Sequence, residues 1–194
     1  NSGFYYMNRY LKDDGYTGQN QIITILDRPI DFYHPMFRDD NFLDKNKEPI
    51  TLNGELLNHR KFVYYRHSCK NTEAIRNYII NIPNGFHGTH VAGILAGKNI
   101  YTNNETRFFS LFDGAAPDAQ IIYAGDFGAA DLFDLGNLMT RYQSRIFTNS
   151  WGSDISPHEN QKYNEMAKNF DYITIFFASG NTYQSKGNFS IDDP

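Results

Sequence analysis

The chain has 194 residues, 40% of them hydrophobic and 16% aromatic, with a formal net charge of −4. That balance fits one soluble globular domain with a sizeable core and gives no electrostatic footprint for nucleic acid or an anionic membrane. The single cysteine, Cys69, excludes an internal disulfide framework, and no apolar run approaches the roughly 20 residues of a membrane span.

A free thiol suits the cytosol without excluding a secreted protein. Asn104-Glu105-Thr106 and Asn188-Phe189-Ser190 are glycosylation sequons of a kind that arises often by chance. No signal peptide is visible, and the first residue is Asn1 rather than methionine, which leaves the natural start open. The nearest thing to a basic patch, Arg60-Lys61 with Arg66, reads as solvated surface.

In chain order, residues 1–21 form a polar, aromatic lead-in with turn signals at Asp13-Asp14-Gly15 and Thr17-Gly18, expected to pack Tyr5, Tyr6 and Tyr10 against the body. Ile22-Ile23-Thr24-Ile25-Leu26 is a nearly continuous β-branched run. Such runs are strands buried on both faces, as in a parallel sheet. It ends at Asp27, and Pro29 stops the ladder.

Residues 31–54 are loop-rich, and a short strand is expected over 61–65. The run Tyr78-Ile79-Ile80 is compatible with a strand or an inward-packing loop. From His87 follows a helix of small and apolar residues, Gly88, Ala92, Gly93, Ala96 and Gly97 among Val91, Ile94 and Leu95. A helix without a polar stripe is a buried helix, and close packing is expected to offset its glycines.

Residues 99–109 read as a surface loop, and Gly114-Ala115-Ala116-Pro117-Asp118 as a turn into a strand over 120–124. Asp131 can cap a helix in which Leu135, Leu138, Met139 and Tyr142 share one face. A strand over 145–149 leads to Ser150-Trp151-Gly152. Ser156-Pro157-His158-Glu159 then makes a capping box for a helix carrying Tyr163, Met166, Ala167 and Phe170. A last strand over 172–178 runs into Ser179-Gly180-Asn181. This alternation predicts an α/β fold, a doubly wound, mostly parallel sheet with helices on both faces, in one domain spanning 1–194 with its motif-bearing core at 22–187.

His87 at the mouth of a buried helix admits three explanations. A satisfied core histidine is the bland one. Metal binding with His90 at i+3 lacks the Glu of H-E-x-x-H and any Cys/His cluster of ligand spacing. General-base catalysis needs a carboxylate to orient the ring and a nucleophile to serve. Ligands of open parallel sheets bind outside the carboxyl ends of the strands, and Asp27, Ser150 and Asn181 all follow strands there. Singly, Asp27 reads as a turn or cap residue and Asn181 as a turn residue after glycine; gathered on one rim with His87, the four point to a site.

Five stretches together resemble the subtilisin-like serine proteases. Ile25-Leu26-Asp27 with Ile30-Asp31, His34-Pro35 and Phe37 resembles the aspartate segment, and His87-Gly88-Thr89-His90-Val91-Ala92-Gly93 the histidine segment. Gly114-Ala115-Ala116-Pro117 with Ala119 resembles the turn before a core strand. Asn149-Ser150-Trp151-Gly152 is similar to the cleft-lining strand, and Ala178-Ser179-Gly180-Asn181 to the oxyanion segment. Order and approximate spacing agree from about Gly18 to about Gly187.

The resemblance implies a serine endopeptidase in which Asp27 orients His87 as general base and Asn181 stands in the oxyanion hole. Ser150, Trp151 and Gly152 would then bind an extended peptide substrate as an added strand, and His90 would be structural. It implies no required cofactor. Calcium enters by family analogy only, since the oxygen-bearing loop 99–109 has no defined calcium spacing. By the same analogy the protein would act outside the cell or in a secretory or lysosomal compartment.

The sequence also departs from that family. The Gly-Thr-Ser-Met-Ala segment that carries the nucleophile is absent, and Ser179, Ser185 and Ser190 lack its context. Losing the serine of such a triad costs on the order of 10⁶ in kcat, so these 194 residues alone are expected to be inactive. The usual Asp-Thr-Gly is Asp27-Arg28-Pro29, and the glycine before the histidine is Phe86, changes placed to tilt the Asp27–His87 pair or crowd the cleft. Two functions remain: a portion of an endopeptidase whose serine lies beyond Pro194, or a non-catalytic peptide-binding relative. If the last strand is internal in a complete fold, the isolated chain bares an apolar edge and is expected to be poorly soluble or partly unfolded.

Overall fold

The computed structural model describes residues 10–43, 46, 53–67, 72–100, 112–125, 131–151 and 157–179. Six strands form one sheet: β1 (Ile22–Leu26), β2 (Gly54–Glu55), β3 (Phe62–Arg66), β4 (Gln120–Ala124), β5 (Ile146–Asn149) and β6 (Thr174–Phe177). Their order is β2-β3-β4-β1-β5-β6. All neighbours run parallel except the short β2, which pairs antiparallel with β3. The apolar runs read from the sequence are these parallel strands, as burial on both faces requires.

Among the described residues the sheet is covered by helices α1 (Thr72–Asn81), α2 (His87–Ala96), α3 (Leu132–Arg141) and α4 (Pro157–Asn169). Strand alternation divides the core in two. Ile23, Ile25, Phe62, Tyr65, Ile121 and Tyr123 pack with Ile75 and Ile79 of α1 and with Ala92 and Ala96 of α2. Leu26, Ile122, Ala124 and Phe147 pack with Leu135 and Met139 of α3 and with Tyr163, Met166 and Phe170 of α4. The fold is therefore doubly wound, with helices on both faces.

Several expectations are corrected. The Tyr78-Ile79-Ile80 run is neither strand nor loop but lies in α1. Ile75 and Ile79, four residues apart, are buried while Ile80 is exposed, so period 3.6 outweighs the local β-branched appearance. Asp131 occupies the N-cap position of α3 without a side-chain cap bond; its carboxylate lies 4.0 Å from the Arg66 guanidinium instead. Tyr10 is exposed rather than packed on the body, and Tyr5 and Tyr6 fall outside the described residues, as do Ser156 of the capping box and the loop 101–109. Helix α2 is buried on one side only, since His90 and Ile94 face solvent.

The largest correction concerns Arg60-Lys61, which is not solvated surface. Lys61 is buried and its ammonium donates to the carbonyls of Pro117 (2.9 Å) and Ala119. Burial pulls it down to about 7. Arg60 donates to the carbonyls of Arg38, Lys98 (3.0 Å) and Pro35 (3.0 Å). Two basic side chains at the entry of β3 thus tie together loops that precede β3, follow α2 and lead into β4. Buried charge is tolerated where every donor finds an acceptor.

At the other margin, β6 is the edge strand among the described residues, and Phe176 is exposed on it. An open cleft of about 440 Å³ lies beside it, lined by Asn160, Tyr163, Asn164, Ala167, Ile173, Ile175 and Phe177.

Candidate active site

Strand β1 runs between β4 and β5, with Ile25 opposite Tyr123 and Leu26 opposite Asn149. The chain leaves the ladder at Asp27, at the carboxyl end of the sheet where parallel folds place their ligands. Helix α2 returns to this rim and begins with His87, whose backbone N–H is held by the Asn84 carbonyl at 3.0 Å.

The two side chains meet. His87 Nδ1 lies 2.7 Å from Asp27 Oδ1. The Asp27 side chain is 1% exposed and that of His87 37%, so the carboxylate is enclosed while the imidazole reaches solvent. Asp27 Oδ1 also accepts from the Arg28 backbone N–H at 2.7 Å, and Oδ2 is buried with no hydrogen-bond partner among the described residues. Burial pushes the Asp27 carboxyl above its ordinary value, and the bonds from His87 and the Arg28 amide act against that rise. This contact forms with Arg28-Pro29 and Phe86 in place; Phe86 is 59% exposed.

The sequence explains how α2 comes so close. A Cβ built on Gly88 would stand 1.8 Å from the Arg28 carbonyl oxygen. Only glycine lets the first turn of the helix lie against the backbone after Asp27. Next along, the Thr89 hydroxyl accepts from the Asp31 N–H (2.9 Å) and donates to the Pro29 carbonyl (3.4 Å). By contrast a Cβ at Gly93 would make only an ordinary contact, 3.5 Å, with the Met36 sulfur. Close packing therefore explains Gly88 and does not explain Gly93.

On the other flank, Ser150 and Trp151 follow β5, adjacent to the end of β1, and the Trp151 indole donates to the Leu26 carbonyl at 3.0 Å. Gly152 and Asn181 lie outside the described residues. His90 is exposed on α2. Among the described residues no three His, Cys, Asp or Glu side chains gather as a metal site would require.

Residues 18–194 match the subtilase family, Peptidase_S8. The chain belongs to the subtilases. It is 32% identical over 145 residues to the serine protease/ABC transporter B family protein tagD of Dictyostelium discoideum; the match takes in 70% of this chain but spans only 7% of that relative's length. Among solved structures, the CspB protease of Clostridium perfringens is 20% identical at a TM-score of 0.49, covering 88% of this chain and 38% of its own. The patellamide maturation protease PatG is 12% identical at a TM-score of 0.49, covering 92% and 55%.

Two further features of this subtilase's rim escape a reading by motif. The buried hydroxyls of Tyr123 and Tyr65 donate to the carbonyls of Asp27 (3.1 Å) and Ile30 (3.0 Å). The signal available in the sequence was a tyrosine near the carboxyl end of each of two buried strands, where a polar tip must find a partner.

The Gly88 contact gives a direct expectation. Gly88→Ala should lift α2 off the segment after Asp27, costing about 1–3 kcal/mol through overpacking and parting Asp27 from His87. A urea midpoint close to the parental value, with the His87 Nδ1 proton resonance unaltered, would contradict it.

Proposed function

We propose that this subtilase is the aspartate- and histidine-bearing portion of a serine endopeptidase. The observation that carries the proposal is the 2.7 Å contact of a buried carboxylate with Nδ1 of a solvent-reaching imidazole. In this reading the Asp27 carboxylate accepts a hydrogen bond from Nδ1–H, which fixes the tautomer and stabilises the imidazolium. Nε2 is left free to take a proton from a serine hydroxyl as its oxygen attacks the scissile carbonyl. The same proton then passes to the departing amine, and water repeats the sequence on the acyl-enzyme. Asn181 would donate to the oxyanion, a contribution of about 2.7–4 kcal/mol in such sites. Residues 150–152 would pair with an extended substrate as an added strand. No cofactor enters these steps.

No Gly-Thr-Ser segment occurs in the 194 residues, so the reading requires a serine nucleophile that these residues do not supply. A fluorophosphonate probe applied to the longest natural form of the polypeptide tests the reading. Covalent labelling that His87→Ala abolishes is the expected result. A natural form that never labels would leave a non-catalytic peptide-binding relative in its place.

A further inference from the structure

We infer that Tyr123, assisted by Tyr65, is a positioning residue that holds Asp27 against His87; the inference rests on the proteolytic reading of the Asp27–His87 pair. The two tyrosines are register partners on β3 and β4, fully buried, with ring centroids 4.5 Å apart. Both lie on the sheet face that α2 covers. Tyr123 Oη donates to the backbone carbonyl of Asp27 itself, and Tyr65 Oη donates to that of Ile30, three residues later.

Between these two anchors runs Asp27-Arg28-Pro29-Ile30, the stretch in which this chain departs from its family. Pro29 has no N–H and cannot extend the β1 ladder, so the carbonyls here depend on side chains for donors. Tyr123 supplies one to Asp27, Thr89 to Pro29 and Tyr65 to Ile30. Gly88 packs against the remaining carbonyl, that of Arg28. The backbone of the aspartate is therefore fixed from β4 on one side while its side chain is fixed by His87 on the other.

The consequence is geometric. Misplacement of a reacting group by about 1 Å costs on the order of 10²-fold in rate. The Asp27 carboxylate hangs from a backbone that Tyr123 anchors, so freeing that carbonyl lets the carboxylate drift from Nδ1. Replacing Tyr123 by phenylalanine keeps the ring and its packing but deletes this donor. The deletion acts on Asp27 without touching substrate, which separates positioning from binding.

In the longest natural form, Tyr123→Phe should lower kcat at least tenfold with KM within twofold, and should shift or broaden the downfield His87 Nδ1 proton resonance. Tyr65→Phe should act in the same direction and more weakly, and it stands as the test if the first variant does not fold. Tyr163→Phe, which loses a buried hydroxyl on the opposite face of the sheet, should leave that resonance in place. Unchanged kcat and resonance in a folded Tyr123→Phe protein would overturn the inference. A parental protein without peptidase activity sinks the proteolytic reading instead, and the proton resonance then decides the role of Tyr123 on its own.

Discussion

Asp27→Asn is expected to lower kcat/KM of the longest natural form by on the order of 10⁴, the loss typical when a triad carboxylate becomes an amide. The geometry shows why no orientation of the amide can substitute. Asp27 Oδ1 receives two donors, His87 Nδ1–H and the Arg28 N–H. Turning the amide nitrogen toward them sets donor against donor at Arg28 and presents His87 with the wrong tautomer. Turning the oxygen toward them puts an amide NH₂ at the buried Oδ2 position, which has no partner among the described residues, and an unsatisfied buried donor costs about 1–3 kcal/mol. Either way the negative charge that would steady an imidazolium is gone. His87→Ala should cost on the order of 10⁶ in kcat. Steady-state kinetics on a peptide substrate decide the matter, and a D27N protein within tenfold of the parental rate would remove Asp27 from the mechanism.

That the Asp27–His87 pair was legible in the sequence follows from how local its signals are. A β-branched run that ends on Asp27 and a histidine that opens a helix of small residues are short patterns with direct structural meaning. Gly88 and Thr89 are part of the same pattern, and both touch the segment after Asp27. What stayed hidden depends on distant partners. Arg60 and Lys61 looked solvated because adjacent charges usually are; nothing nearby in sequence announces that carbonyls of Pro35, Arg38, Lys98, Pro117 and Ala119 converge on them. The hydroxyls of Tyr65 and Tyr123 were hidden for the same reason, since their acceptors lie 35 and 96 residues away. Helix α1 was missed on different grounds. Three adjacent bulky residues suggested a strand or an inward-packing loop, whereas the decisive pair, Ile75 and Ile79, is spaced for a helix.

Acid should destabilise this protein as pH falls from 6.5 toward 4, and His59 is the expected cause. The residue is 0% exposed, enclosed by the rings of Phe32, Phe42 and Phe62 at 4.9, 4.9 and 5.3 Å. Its Nδ1 accepts from the backbone N–H groups of Lys61 and Phe62, both at 3.0 Å, at the start of β3. A proton on Nδ1 would face those two donors, so the imidazolium cannot form without breaking both bonds. Burial lowers the group from 6.5 to about 4; Asp39 opposes the shift, and the Arg60 and Lys61 charges reinforce it. A depressed value means that the unfolded chain binds the proton first. The stabilisation is therefore complete above pH 6.5 and is lost as pH falls toward 4, by roughly 3 kcal/mol at 1.36 kcal/mol per unit. The carboxyls of Asp27 and Asp113, pushed upward by burial, act in the opposite sense at the acid end of this range. Comparing the parental protein with His59→Gln removes that complication, because both aspartates are common to the pair. The variant should be less stable at pH 7, yet its urea midpoint should change far less between pH 6.5 and 4 than the parental one. Parallel pH profiles for the two proteins would mean that His59 does not carry the acid sensitivity.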